Sequence, residues 1–135
     1  MLGAAATPYM TLLALSVVLL VFHILLQGTL SNRELGSKWN AGPRDEGLEP
    51  KGRHAGRAGR ASKNFQETYP AFVGLLLGVV VTGDVSGWGL AGGWLWFVAR
   101  IVYIPLYLGG IAYFRSLAWT ISMVGMLAMT IALFR

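Results

Sequence analysis

The stretch RASKNFQETYP, Arg60 to Pro70, brings two cations, two amides and a carboxylate to the edge of an uncharged run, Ala71 to Val81. Upstream residues extend the pattern. Arg53, Arg57, Arg60, Asn64 and Glu67 are separated by four, three, four and three residues, a spacing that keeps side chains on one helix face. A second set, Arg100, Tyr103 and Tyr107, lies at i, i+3 and i+7 in RIVYIPLY. Arg115, with Ser116 beside it, stands at the mouth of the last apolar run. Arg grips carboxylates through paired donors in a planar fork. Guanidinium groups beside phenol hydroxyls therefore suit an anion that carries carboxylates.

Arg100 and Glu67 are the costly members. An ionisable group inside a spanning helix costs about 2.5–3.5 kcal/mol at the centre on insertion scales, and is tolerated when it faces the bundle interior. Either the two pair with each other and hold two helices together, or both face a polar ligand. Pairing would still leave Arg60, Lys63 and Arg115 as an excess of positive charge. Tyr107, at the end of its span, also fits an interfacial belt; Tyr103 lies one turn deeper. Pro70 and Pro105 remove helical donors near these residues. Gly74 and Gly78 form a small-xxx-small pair that predicts a close helix contact. Trp88, Trp94 and Trp96 are expected in an outer aromatic belt.

The elements that must position these residues are apolar and long. Of the 135 residues, 55% are hydrophobic and 13% charged, against about 25% charged in soluble domains. Spans are predicted at about 8–30, 64–82, 88–107 and 116–134, each near the roughly 20 residues needed to cross hydrocarbon. The first lacks a basic start and exceeds the apolar length of a signal peptide, so it reads as a retained helix. The connections 82–87 and 109–115 are short, which makes successive helices antiparallel neighbours. The expected fold is thus all-α and integral to the membrane, an up-down four-helix bundle forming a single domain over 1–135. The loop 31–63 is turn-rich in its first half and helical beyond about Leu48 or Lys51.

Eight Lys and Arg, from Arg33 to Lys63, lie between the first two spans, whereas the 82–87 connection carries only Asp84. The positive-inside rule places the basic loop in the cytoplasm and both termini outward, as in a multi-pass bacterial inner-membrane protein. Basic residues flanking a span argue for headgroup contact rather than nucleic acid. The chain has no Cys, so any sulfur chemistry needs a thiol supplied by a substrate. His23 and His54 lack ligand-like spacing, and no metal site is expected. His23 reads as a hydrogen-bonding group between helices.

These motifs resemble the membrane-associated proteins in eicosanoid and glutathione metabolism, the MAPEG family. The run Arg-Ala-x-x-Asn-x-x-Glu-x-x-Pro is matched by Arg60, Asn64, Glu67 and Pro70. The run Arg-x-x-Tyr-x-x-x-Tyr is matched by Arg100, Tyr103 and Tyr107, and Arg115 follows before the fourth helix. Within it the chain resembles bacterial-type members related to microsomal glutathione transferases. The resemblance implies a homotrimer, with glutathione as co-substrate bound between subunits near the cytoplasmic side. Arg60, Lys63, Asn64, Glu67, Tyr103 and Tyr107 would bind it, and Arg100 would support the site from within the bundle. Arg115 would stabilise the thiolate and Ser116 would donate a hydrogen bond to it. Ser62 stands where many members have His or Gln, and Lys63 where the prostaglandin-forming members have Arg.

The resulting reading is a membrane-bound glutathione transferase, with peroxidase activity toward lipid hydroperoxides, acting on lipophilic molecules from the bilayer. The alternative is a non-catalytic lipid-binding or accessory membrane protein that keeps the fold. A small-anion transport element is disfavoured, because no repeat pair or broken helix is visible.

Overall fold

A computed structural model describes residues 3–135. Regular structure among them is entirely helical: α1 (Gly3–Leu35), α2 (Ser37–Ala41), α3 (Arg53–Thr82), α4 (Trp88–Leu108) and α5 (Ala112–Ala132). All but α2 are long and apolar enough to cross a membrane, and they pack as a helical bundle. This is an integral membrane protein.

Helix α3 starts well before its apolar portion, and the reason lies at its first turn. Gly52 provides no side-chain cap. Instead Glu34, at the end of α1, accepts hydrogen bonds from the backbone N–H groups of Lys51 and Gly52. A carboxylate there satisfies orphan donors and complements the positive end of the helix dipole. At the other end of the bundle Asp84 has the same task for α4. It accepts from the N–H groups of Gly89 and Leu90 at 3.0 and 2.8 Å and from the Tyr9 hydroxyl at 2.7 Å. One carboxylate therefore starts α4 and ties α1 to the α3–α4 turn.

The core is aromatic along the α3–α4 seam. Phe72 stacks on Trp96 at 3.8 Å between centroids, and Phe65 and Tyr69 pack around the same indole. Tyr69 also hydrogen-bonds Ser16 of α1 at 2.9 Å. The expected aromatic belt is thus corrected at Trp96. Trp88 and Trp94 are exposed, but Trp96 is fully buried, because its position faces α3.

The expected close contact at Gly74 and Gly78 is also corrected. A Cβ on Gly74 would meet nothing within 4 Å, and one on Gly78 only the Leu133 side chain. The close approach lies between α4 and α5, where a Cβ on Gly92 would collide with the Gly125 carbonyl and one on Gly125 with the Gly92 carbonyl and the Trp96 backbone. Backbone-on-backbone contact of this kind needs glycine.

A bilayer's hydrocarbon is about 30 Å thick, which α-helices cross in about 20 residues. Tyr9, Thr82, Trp88 and Ala132 lie at one end of the bundle. Counting that far along each helix brings the chain to the neighbourhood of Thr29, Ser62, Leu108 and Ala112. Arg60, Lys63, Asn64, Tyr107, Arg115 and Ser116 gather toward this second end, where hydrocarbon gives way to headgroups.

Candidate functional site

Three helices build one cleft at that end, with a volume of about 720 Å³. Helix α3 contributes Arg60, Lys63, Asn64 and Glu67, spaced so that one face of the helix lines it. Helix α4 contributes Tyr103 and Tyr107 from its last turns, and α5 contributes Arg115 and Ser116. Eight of the nine candidate residues thus share one cavity. Helix α5 begins at Ala112, so Arg115 and Ser116 lie within the helix. The span predicted from about 116 thus starts a turn earlier, with Ile111 as its N-cap residue.

Arg100 is the ninth, and it stands behind the cleft. It is fully buried, and none of its three guanidinium nitrogens has a hydrogen-bond partner. A pair with Glu67 is therefore absent; Glu67 is exposed along the cleft. What Arg100 does have is aromatic faces, Tyr103 at 4.4 Å and Phe65 at 5.6 Å from its central carbon. Tyr103 packs against Tyr107 at 5.4 Å, and the Arg115 guanidinium lies 4.8 Å over the Tyr107 ring. The order Arg100, Tyr103, Tyr107, Arg115 is a ladder of cations and rings running from core to cleft. Each such contact contributes about 0.5–2 kcal/mol depending on desolvation, and together they set the direction in which Arg115 points.

The arginines upstream of Arg60 do not line the cleft. Arg57 donates to the Leu108 carbonyl at 2.9 Å and packs against Gly110. It satisfies an orphan carbonyl at the C-terminus of α4 and so fastens α3 beside the cleft. Arg53 is exposed. Two cleft residues escaped the sequence reading: Trp119 and Thr120. Each lies four residues beyond Arg115 or Ser116 and hence on the same helix face; that spacing was the available signal. His23 is buried with its ring 4.8 Å from Phe65, and its Nε2 has no partner. Among the described residues no cluster of His, Cys, Asp or Glu could hold a metal ion.

Chemically the cleft presents three cations, one carboxylate, two phenols and an amide. Asn64 lines the cleft, and its Oδ1 is buried without a hydrogen-bond partner. A model of the MAPEG family matches residues 12–135. The chain belongs to the MAPEG family. This MAPEG protein shares its family with glutathione transferases and related membrane proteins, and the family as a whole is concerned with glutathione. No curated protein and no solved structure matches the chain.

Proposed function

We propose that this MAPEG protein is a membrane-bound glutathione transferase, active also as a peroxidase toward lipid hydroperoxides. The supporting observation is the composition of the single cleft shared by α3, α4 and α5. Glutathione carries two carboxylates, one ammonium, two amides and a thiol. Arg60 and Lys63 suit the carboxylates, Glu67 the ammonium, and the Asn64 side-chain amide a peptide amide. Lys63 binds as a point charge, and Arg60 adds a planar, two-bond grip only when its fork turns from over Gly56 into this cleft. The residues present fit the tripeptide in charge and in donor–acceptor type.

Arg115 then faces the thiol end. A cation beside sulfur favours the thiolate, which is the nucleophilic form. The thiol proton leaves to solvent, and the sulfur electron pair forms a bond to an electrophilic carbon that reaches the cleft from the bilayer, as the leaving group departs with its bonding pair. With a lipid hydroperoxide the sulfur attacks the outer oxygen, the O–O bond breaks to give the alcohol, and a second glutathione thiol converts the sulfenic acid to glutathione disulfide and water. Leu117, exposed on α5 among other apolar side chains, gives such a molecule a lipid-side approach. Ser116 donates a hydrogen bond to the sulfur anion, and the Tyr107 ring holds Arg115 in place. The working unit is a homotrimer, with the basic loop in the cytoplasm.

Mixing purified protein with glutathione at neutral pH tests this directly. The expected result is an ultraviolet thiolate band together with conjugation of a lipophilic electrophile. No band and no conjugation would overturn the reading.

A further inference from the structure

A second cleft, of about 660 Å³, lies between the end of α1, the segment 36–52 and the start of α3. It is separated from the first by Arg60 and Lys63, which line both. Arg44 adds a third cation, against which Glu49 is the only carboxylate in the lining. We propose that this cleft binds the phosphate of an anionic phospholipid headgroup.

Four features carry the assignment. The first is charge: three cations against one carboxylate leave the cleft positive, and guanidinium and ammonium groups together suit phosphate oxygens. The second is the orientation of Arg60. Its guanidinium lies back over Gly56, where an added Cβ would come within 3.2 Å of Nη1. The absence of a side chain at Gly56 lets the fork reach toward the loop.

The third feature is a prepared wall. Arg44 lies 4.4 Å over the Trp39 ring and donates to the Asn40 carbonyl and side chain. Trp39 in turn donates its indole N–H to the Leu48 carbonyl. The loop is thus folded across the cleft by its own contacts, with a cation held on its inner side.

The fourth feature is depth. The helical count above puts Gln27 and Gly28 of α1 and Lys63 of α3 at the level where hydrocarbon meets headgroups. Ile24 lies one turn below Gly28 and is exposed, so an acyl chain has an apolar surface beneath the cleft. A soluble phosphate would meet the same cations without using that surface.

Hydrogen–deuterium exchange of the full chain in maltoside micelles, which contain no phosphate, provides the test. Phosphatidylglycerol, a galactolipid or inorganic phosphate is added, and protection of backbone amides over 39–50 is read as the change within each variant. Phosphatidylglycerol is expected to protect this segment and the phosphate-free galactolipid is not. Arg44→Gln should require about tenfold more phosphatidylglycerol, a loss typical of one charged hydrogen-bonding partner, and Arg44→Lys should recover most of it. Arg115→Gln, which alters only the other cleft, should leave the protection unchanged whether or not glutathione is the ligand there. Equal protection by the galactolipid, an undiminished response in Arg44→Gln, or protection by inorganic phosphate alone would each overturn the proposal.

Discussion

In the proposed function Arg115 would favour the glutathione thiolate by its position beside the sulfur. Replacing Arg115 by Ala should lower turnover at neutral pH about 100-fold, the usual effect of removing one preorganised donor from a developing or bound anion. It should also move the acidic limb of the pH–rate profile upward, because the thiol then ionises closer to its unperturbed value. Turnover measured across pH with saturating glutathione checks both; an unmoved limb would remove Arg115 from the thiol. Arg100 gives the opposite pattern. It is buried without a hydrogen-bond partner, and replacing a buried charge by an apolar side chain of similar length is often neutral or stabilising. Arg100→Met is expected to retain or raise the unfolding temperature while lowering activity, since the ladder through Tyr103 and Tyr107 to Arg115 loses its first rung. Thermal unfolding and turnover on the same preparation separate the two effects.

Two contacts govern how the helices sit against one another. Gly125→Ala would place a methyl group against the Gly92 carbonyl and the Trp96 backbone. Overpacking of this kind costs about 1–3 kcal/mol, and the backbone atoms it meets cannot rotate away. Gly74→Ala, with open space around the added Cβ, should leave the unfolding temperature nearly unchanged. Asp84 supplies the second contact. Burial pushes its carboxyl up, but the Tyr9 hydroxyl and the N–H groups of Gly89, Leu90 and Gly87 outweigh that and hold it below its ordinary 3.8. A depressed carboxylate contributes stability that is complete above 3.8 and is lost as pH falls through the folded-state value. Asp84→Asn should therefore flatten the acid limb of stability against pH, and Asp84→Ala should cost about 1 kcal/mol as a lost cap; unfolding followed by circular dichroism reads both. At this scale the sequence was legible where periodicity carried the information. The i, i+4, i+7 spacing brought Arg60, Asn64 and Glu67 to one wall, and the i, i+4 spacing brought Tyr103 and Tyr107 to another. It was illegible where the partner lay on a different helix. Nothing local distinguishes the crowded Gly125 from the open Gly74, or the buried Trp96 from the exposed Trp94, because each distinction depends on what packs opposite.

For the whole molecule the governing quantity is the separation of charge along the bundle axis. The basic loop and the cation-lined clefts occupy one end, and the α3–α4 turn at the other carries Asp84 without Lys or Arg. Hydrophobic length is written in composition, so the four crossing helices could be read from sequence. Subunit contact and lipid contact both use apolar surface, so the arrangement of copies could not. For orientation the charge asymmetry predicts a cytoplasmic basic loop, by the positive-inside rule. The chain contains no Cys, which makes the prediction clean to test with single replacements. Glu46, exposed in the basic loop, and Val85, exposed in the α3–α4 turn, are suitable positions. Glu46→Cys should resist an impermeant maleimide in intact cells and react after permeabilisation, whereas Val85→Cys should react in both. The two sites report opposite faces of one bundle, so reversal of the pattern would invert the topology while leaving the fold intact. Reaction of Glu46→Cys in intact cells would place the cleft proposed for glutathione outside the cytoplasm, away from the reducing compartment in which a thiol co-substrate is kept available.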